Sequence, residues 1–235
     1  MHLPRVLTGV WFVVLAGGAA AEEPRAALPR RTAAATPTLL EAVAPEYRSA
    51  VSDVVKSPTL SVKAVDDSFT THARLYEWML EHPDRVSQAW LRLNVQCVEI
   101  TDLRDGRFRW ADETGSELTW RNVGRFPDGV VWYATGKVKP GALLPLVPVK
   151  AVAVLQFPKS AADAKPGTVS LAPTLNVYTH TDSKTAAALL RMAGPAGPRM
   201  AEQGAEQLLL FFSGPARHLY KHPDQIETLL APKAK

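Results

Sequence analysis

The side chains able to do chemistry are few in this sequence, and most stand apart from one another. Cys97 is the single cysteine and alternates with Val95 in the apolar stretch Asn94–Asp102. A nucleophilic thiol needs a nearby base and an electropositive setting. No cysteine–histidine signature surrounds Cys97, so it reads as a buried, inert thiol. His180-Thr181-Asp182 sets an imidazole beside a carboxylate where a strand gives way to a helix cap. His218 and His222 share a helix face four residues apart, which offers two ligands where a metal site needs three or four. The residues between them lack the glutamate of a zinc protease, and Pro223 ends the helix. Nucleophile elbows, phosphate loops and dinucleotide fingerprints are absent from the sequence. The expectation is therefore no metal, no cofactor and no catalytic residue. Glu99, Arg109, Glu117 and Arg121 fall on neighbouring strand segments, as do Tyr133, Thr135 and Lys137 on one more. Pointing outward they make cross-strand ion pairs on a wet face; pointing inward they are polar anchors.

The aromatic residues carry the stronger pattern. Trp110 shares a strand face with Phe108, Trp120 lies on the next strand, Trp132 and Tyr133 on the third, and Phe157 and Tyr178 on the last two. Leu208 and Phe212 lie along one face of a C-terminal helix. Aromatic strands over a helix either fill a core or line an apolar cavity. In the second case Trp110, Trp120, Trp132, Tyr133, Phe157, Tyr178, Leu208 and Phe212 are the ligand-contacting residues. The early half of that helix is small, with Ala201, Gly204 and Ala205. It either closes on the sheet or leaves space above it.

These residues need a scaffold, and the periodicity supplies one. Thr38-Leu39-Leu40-Glu41 has capping-box spacing and opens a helical segment over 38–58, interrupted at Pro45. Thr59–Val65 alternates as a strand. A helix pair follows, with Ala73, Tyr76, Met79 and Leu80 on one stripe and Val86, Trp90 and Leu93 on the next; His82-Pro83-Asp84 restarts the helix between them. From 94 to 180 the period becomes two. Six strands are expected: Asn94–Asp102, Arg107–Asp112, Ser116–Val123, Val130–Lys139, Pro148–Phe157 and Thr168–His180, with turn signals that make an antiparallel meander. Ala186–Met192 and Pro198–Ser213 return to helix, kinked at Gly214-Pro215, and Gln225–Leu230 closes the chain within a C-terminal extension over 223–235.

Strand, helix pair, six-strand meander and long helix, in that order, resemble the helix-grip superfamily of START-like and polyketide-cyclase-like domains. The stretch His82-Pro83-Asp84-Arg85-Val86-Ser87-Gln88-Ala89-Trp90 looks like the first helix pair of that superfamily. The resemblance covers residues 59–222. It implies an α+β fold in which a curved antiparallel sheet of about seven strands packs on the C-terminal helix, with a ligand cavity between them.

The chain of 235 residues is 46% hydrophobic and 21% charged, which excludes a disordered, collagen-like or disulfide-stapled protein. A net charge of +4, spread along the chain, gives no nucleic-acid signature. Arg5, the apolar run Val6–Ala16 and the small residues Ala19 and Ala21 have the parts of a secretory signal peptide over 1–21. The run is too short for a spanning helix, which needs roughly 20 apolar residues; the alternative to cleavage is an uncleaved anchor. Residues 22–37, rich in alanine, proline and arginine, read as a flexible leader. Export to the periplasm or the outside follows. In the loop 139–148, Leu143, Leu144, Leu146 and Val147 make an apolar stretch where polar residues are usual. It reads as a lid, as a peripheral membrane contact, or as a loop folded back on the N-terminal helix. The expected function is binding of a hydrophobic, lipid-like small molecule. The alternatives are a cyclase- or hydrolase-like enzyme in the same cavity, whose polar groups would come from Tyr133, Glu99, Arg109, Arg121 or His180, and an envelope partner-binding module with a solid core.

Overall fold

Thr38 and Glu41 form the capping box that the spacing predicts: the Thr38 backbone N–H donates to the Glu41 carboxylate at 2.7 Å. The helix it starts, α1 (Leu39–Ala42), is one turn long. A 3-10 turn at Pro45–Tyr47 leads into α2 (Arg48–Lys56). The structure, a computed structural model, describes residues 38–139, 145–161, 166–183 and 196–233. The expected signal peptide, the leader, the loop tip at 140–144 and the helical stretch Ala186–Met192 lie outside them. The remaining elements in chain order are β1 (Leu60–Val65), β2 (Phe69–His72), α3 (Ala73–Glu81), α4 (Pro83–Arg92), β3 (Thr101–Arg104), β4 (Arg107–Ala111), β5 (Glu117–Phe126), β6 (Gly129–Val138), β7 (Val147–Gln156), β8 (Lys159–Ala161), β9 (Thr168–Leu171), β10 (Thr174–His180), α5 (Ala196–Lys221) and α6 (Ile226–Leu230).

Seven antiparallel strands form the main sheet in the order β1-β10-β7-β6-β5-β4-β3, and β2-β9-β8 make a small second sheet. The meander from β3 to β7 is as the turn signals require. β10 then slots between β7 and β1, so the first strand closes on the last. Alternation along the strands divides the sheet into two faces. Val130, Trp132, Leu155 and Leu175 turn one way, into a core shared with Tyr76, Met79, Val86, Leu209, Phe212 and Leu219 of the helices. Val123, Val131, Val152 and Val154 turn the other way and are covered by Val43, Val51 and Val54 of the N-terminal arm. Gly124 permits that close approach: a Cβ there would sit 2.5 Å from the Ala42 carbonyl oxygen.

Three strand expectations change. Residues 95–100 are not strand, and β3 begins only at Thr101. Asn94, at φ 57°, turns the chain out of α4. The segment then bonds back to that helix: Val95 N–H donates to the Trp90 carbonyl at 3.0 Å and Ile100 N–H to Ser87 Oγ at 3.1 Å. The long strand expected over Thr168–His180 is two strands in different sheets, because Pro173 between them lacks a backbone N–H to continue the ladder. β2 and β8, four and three residues long, are too short to show a period.

Helix α5 continues as one helix through the Gly214-Pro215 pair, where a kink was expected. Proline at 215 removes the donor that would bond the Phe211 carbonyl one turn back. The indole N–H of Trp90, on α4, supplies it, donating to Phe211 O at 3.0 Å. Gly214 leaves room for the indole, since a Cβ there would stand 2.5 Å from the ring. Arg92, half a turn further on, donates to the carbonyls of Thr228, Leu229, Ala231 and Pro232 and fixes the end of α6. The two His-Pro-Asp tripeptides also do one job. His82 and His222 hold matching non-helical backbones (φ −127° and −128°, ψ 60° and 65°) before a proline that begins the next helical turn.

Trp90→Phe strands the Phe211 carbonyl and is expected to cost about 1–3 kcal/mol of stability in urea unfolding. Pro215→Ala restores a backbone donor, so in the Trp90→Phe background it should recover part of that loss. Equal effects of Pro215→Ala in both backgrounds would show that the indole does not serve the carbonyl.

Candidate functional site

Above the sheet, between its β1 edge and the first half of α5, lies an apolar cleft of about 200 Å³. β1 contributes Leu60 and Val62, and β10 contributes Val177 and Thr179; these are two directly opposed cross-strand pairs, Leu60↔Thr179 and Val62↔Val177. Ala201, Gly204, Ala205 and Leu208 come down from the helix. They recur at helical spacing, so one small-residue stripe faces the strands. A Cβ added at Gly204 would meet no atom within 4 Å. Of the two readings the sequence left for this stripe, the structure has the open one. Beyond Thr179 the same face continues strand by strand over Ala151 and Ala134 to Trp120 and Phe108.

Of the eight residues expected to contact a ligand, Leu208 lines this cleft. Trp132 and Phe212 are stacked on each other, with ring centroids 5.6 Å apart and planes at 11°. Both are buried in the core, as is Phe157, which packs edge-on against Tyr76. Trp120 packs half-buried against the same core, about 14 Å from Thr179 at three strand spacings. Trp110 is half-buried one row beyond it on β4. Tyr133 and Tyr178 lie on the opposite face, under the N-terminal arm, with Tyr133 ring-to-ring 6.1 Å from Tyr47. That placement follows from the period of two: Trp132 and Tyr133 are neighbours and must face opposite sides of the sheet. The aromatic residues thus fill the interior. What remains open is aliphatic, and its signal in the sequence was the run of small residues at 201, 204 and 205.

The polar candidates do not converge in the cleft. Arg109 and Glu117 form an exposed two-pronged ion pair at 2.7 and 3.1 Å, and that bond holds the Glu117 carboxyl below its usual range. Glu99 accepts from Lys233 and Gln88. Arg121 donates to the Tyr47 hydroxyl and the Asp105 carbonyl, both at 2.6 Å. His180 holds the end of α2, its Nδ1 2.7 Å from the Ser57 carbonyl, with Nε2 3.1 Å from Asp182. Asp182 is pulled below the usual carboxylate range by its bond to Lys150 and then by His180. His218 and His222 lie ring-to-ring at 4.7 Å. Among the described residues no three His, Cys, Asp or Glu side chains gather as metal ligands.

Two other places compete for attention. A wider, open groove of about 540 Å³ runs between the 41–48 arm and Arg121–Arg125. Its polar walls bond to themselves or to neighbouring elements: Arg48 Nε donates to the Val43 carbonyl at 3.0 Å, Arg121 is engaged as above, and Arg125 pairs with Glu81. Near the far end of α5, Arg217 pairs with Asp66 at 2.9 Å over the Phe69 ring. Beside that pair the Tyr76 hydroxyl is buried without a partner, and its burial strongly disfavours ionisation. Neither place has the cleft's combination of open volume and dry walls. In the apolar 139–148 loop, Leu146 is exposed and Val147 is buried at the start of β7.

The described residues define an α+β protein with a seven-stranded antiparallel sheet and a long C-terminal helix. No family model and no curated protein matches the chain. Among solved structures, a conserved protein from Geobacillus kaustophilus is similar over 69% of this chain and 96% of its own, at 12% identity and a TM-score of 0.43. An uncharacterised protein from Rhizobium leguminosarum is similar over 66% and 97%, at 17% identity and a TM-score of 0.29.

Cys97 sits half-buried in the unpaired 95–100 segment, where burial pushes its thiol up to about 11. The reactive thiolate is therefore scarce at pH 8, roughly one molecule in a thousand. Iodoacetamide should label native protein at least about tenfold more slowly than urea-unfolded protein at that pH. The native rate should climb as the pH approaches 11. A native rate equal to the unfolded one would show an open, ordinary thiol.

Proposed function

We propose that this chain is an exported, non-enzymatic domain that binds a hydrophobic or amphipathic small molecule between its sheet and its C-terminal helix. The observation that carries the reading is the cleft of about 200 Å³ under Ala201–Leu208. A protein interior closes to near-crystalline density where it can, and larger side chains at Gly204 would have closed this one. The reading as a helix-grip domain is supported by the strand order: leaving aside the small second sheet, β1 pairs with the last strand and the meander runs outward from it, followed by the long helix. Among the described residues no acid, base or nucleophile converges at the cleft, which favours binding over catalysis, since general acid–base work needs groups within hydrogen-bond reach of the reacting atom. Export rests on the basic, apolar and small-residue regions of 1–21. No helix among the described residues is long and apolar enough to cross a membrane.

Native mass spectrometry of protein purified from its producing cells should find a bound apolar compound. Gly204→Leu fills the open space and should lose that compound while keeping or raising the thermal midpoint, because leucine is the better helix former. Retention of the same bound mass by Gly204→Leu would remove the cleft from consideration. The full chain, expressed in a bacterium with its envelope intact, should be recovered outside the cytoplasm with Glu22 as its first residue by N-terminal sequencing. Recovery in the cytoplasm beginning at residue 1 would overturn the export reading.

A further inference from the structure

We infer that the cleft takes a single unbranched alkyl chain, tail first, with the polar end of the molecule left outside. The inference rests on the cleft being the ligand site, and it concerns which class of molecule fits. Size is the first argument. At about 200 Å³ the cleft is smaller than the roughly 300–1,000 Å³ of sites that enclose whole drug-sized ligands. With roughly 30 Å³ for a group the size of a water molecule, it holds about seven methylenes.

Shape is the second argument. The floor is made of two stacked cross-strand pairs, Leu60↔Thr179 and Val62↔Val177. The next pair along, Ala64↔Leu175, is buried against the core, so the slot is blind at that end. Beside Thr179 the same sheet face continues across the strands over the small, half-buried Ala151 and Ala134. Because β1 is an edge strand, one long side of the slot has no further strand beyond it. A small cleft closed at one end and walled by short aliphatic side chains suits a slim chain.

Chemistry is the third argument. Among the described residues the walls carry no aromatic ring on which a flat ligand could stack; Trp132 lies on Phe212 and Phe157 against Tyr76 in the core. Thr179, the one polar side chain among the described residues of the cleft, already donates its hydroxyl to the Leu60 carbonyl at 3.3 Å. A polar group pushed into the cleft would find at most the lone pairs of the Thr179 hydroxyl among the described residues, and burying it poorly paired is unfavourable. The head of the ligand therefore stays in water outside the cleft, and the tail alone is recognised.

The test is a chain-length series of n-alkanols, from butanol to dodecanol, titrated calorimetrically into the full chain stripped of endogenous ligand. Each added methylene should tighten binding about fourfold, the value of burying one CH2, until roughly seven carbons lie in the slot; longer alkanols should gain little more. 1-Adamantanol and 2-naphthol, compact and flat at similar carbon number, should bind at least about tenfold more weakly than decanol. Gly204→Leu occupies the helix side of the slot and should move the plateau to shorter chains. Tighter binding of the ring compounds, still lost in Gly204→Leu, would overturn the linear-tail inference while leaving the cleft as the site. Alkanol binding that is absent, or indifferent to Gly204→Leu, would overturn the cleft as the site and the inference with it.

Discussion

A proline inside a long helix removes one hydrogen bond and leaves a carbonyl facing inward without a donor. In this protein that carbonyl is Phe211's, and the donor comes from a tryptophan on another helix, at 3.0 Å. The arrangement joins four separate choices in the sequence. Pro215 creates the need, Trp90 meets it, Gly214 gives the indole space to approach, and Phe212, the next residue, lies stacked on Trp132 of the sheet. Helix α5 is thereby held by α4 on one side and by the sheet on the other at the same turn. The cleft lies beside the first half of α5, where no such clamp is found among the described residues.

The sheet beneath is dry on both faces for different reasons. The helices α3 to α6 cover one face with large side chains, and the arm before β1 covers the other with valines. Valine fits the second role because the arm lies close, within reach of Gly124 and bridged to it at Val43. A β-branched side chain fills a shallow space without the rotamer freedom of leucine or methionine. The two faces also explain why polar strand residues collect in exposed pairs such as Arg109–Glu117. Once both faces of the central strands are covered, the outlying strands and the arm's margin are where charge can remain in water.

Much of the architecture was legible because its signals are local. The capping box at Thr38, the helix pair around His82-Pro83-Asp84, the meander and the presence of a C-terminal helix follow from spacing alone. The failures were non-local. Residues 95–100 alternate as a strand does, but bonds from Val95 and Ile100 to α4 compete successfully with sheet pairing. Helix α5 continues past Pro215 because of a residue more than a hundred positions away. The site was half legible. The small residues at 201, 204 and 205 marked it, whereas the aromatic residues pointed elsewhere, since a ring that fills a core and a ring that lines a pocket have the same pattern along a strand. Treating Trp132 and Tyr133 as one pocket wall set the period of two aside, and the structure restores it.

The contrast between the two halves of α5 bears on what the cleft is for. Apolar burial stabilises by roughly 25 cal/mol per Å², so a leucine at Gly204 with open space before it would add stability as well as helix propensity. The second half of the same helix takes that gain, with Leu209, Phe212 and Leu219 buried against the sheet and its helices. The first half forgoes it at three of the positions that face the strands. A cleft left by poor packing would have irregular walls and stray polar atoms; here the walls are aliphatic on both sides, and the single hydroxyl is tied to the backbone. Among the described residues around the cleft, dryness and smallness thus occur together, and the stability that fuller packing would bring is left untaken.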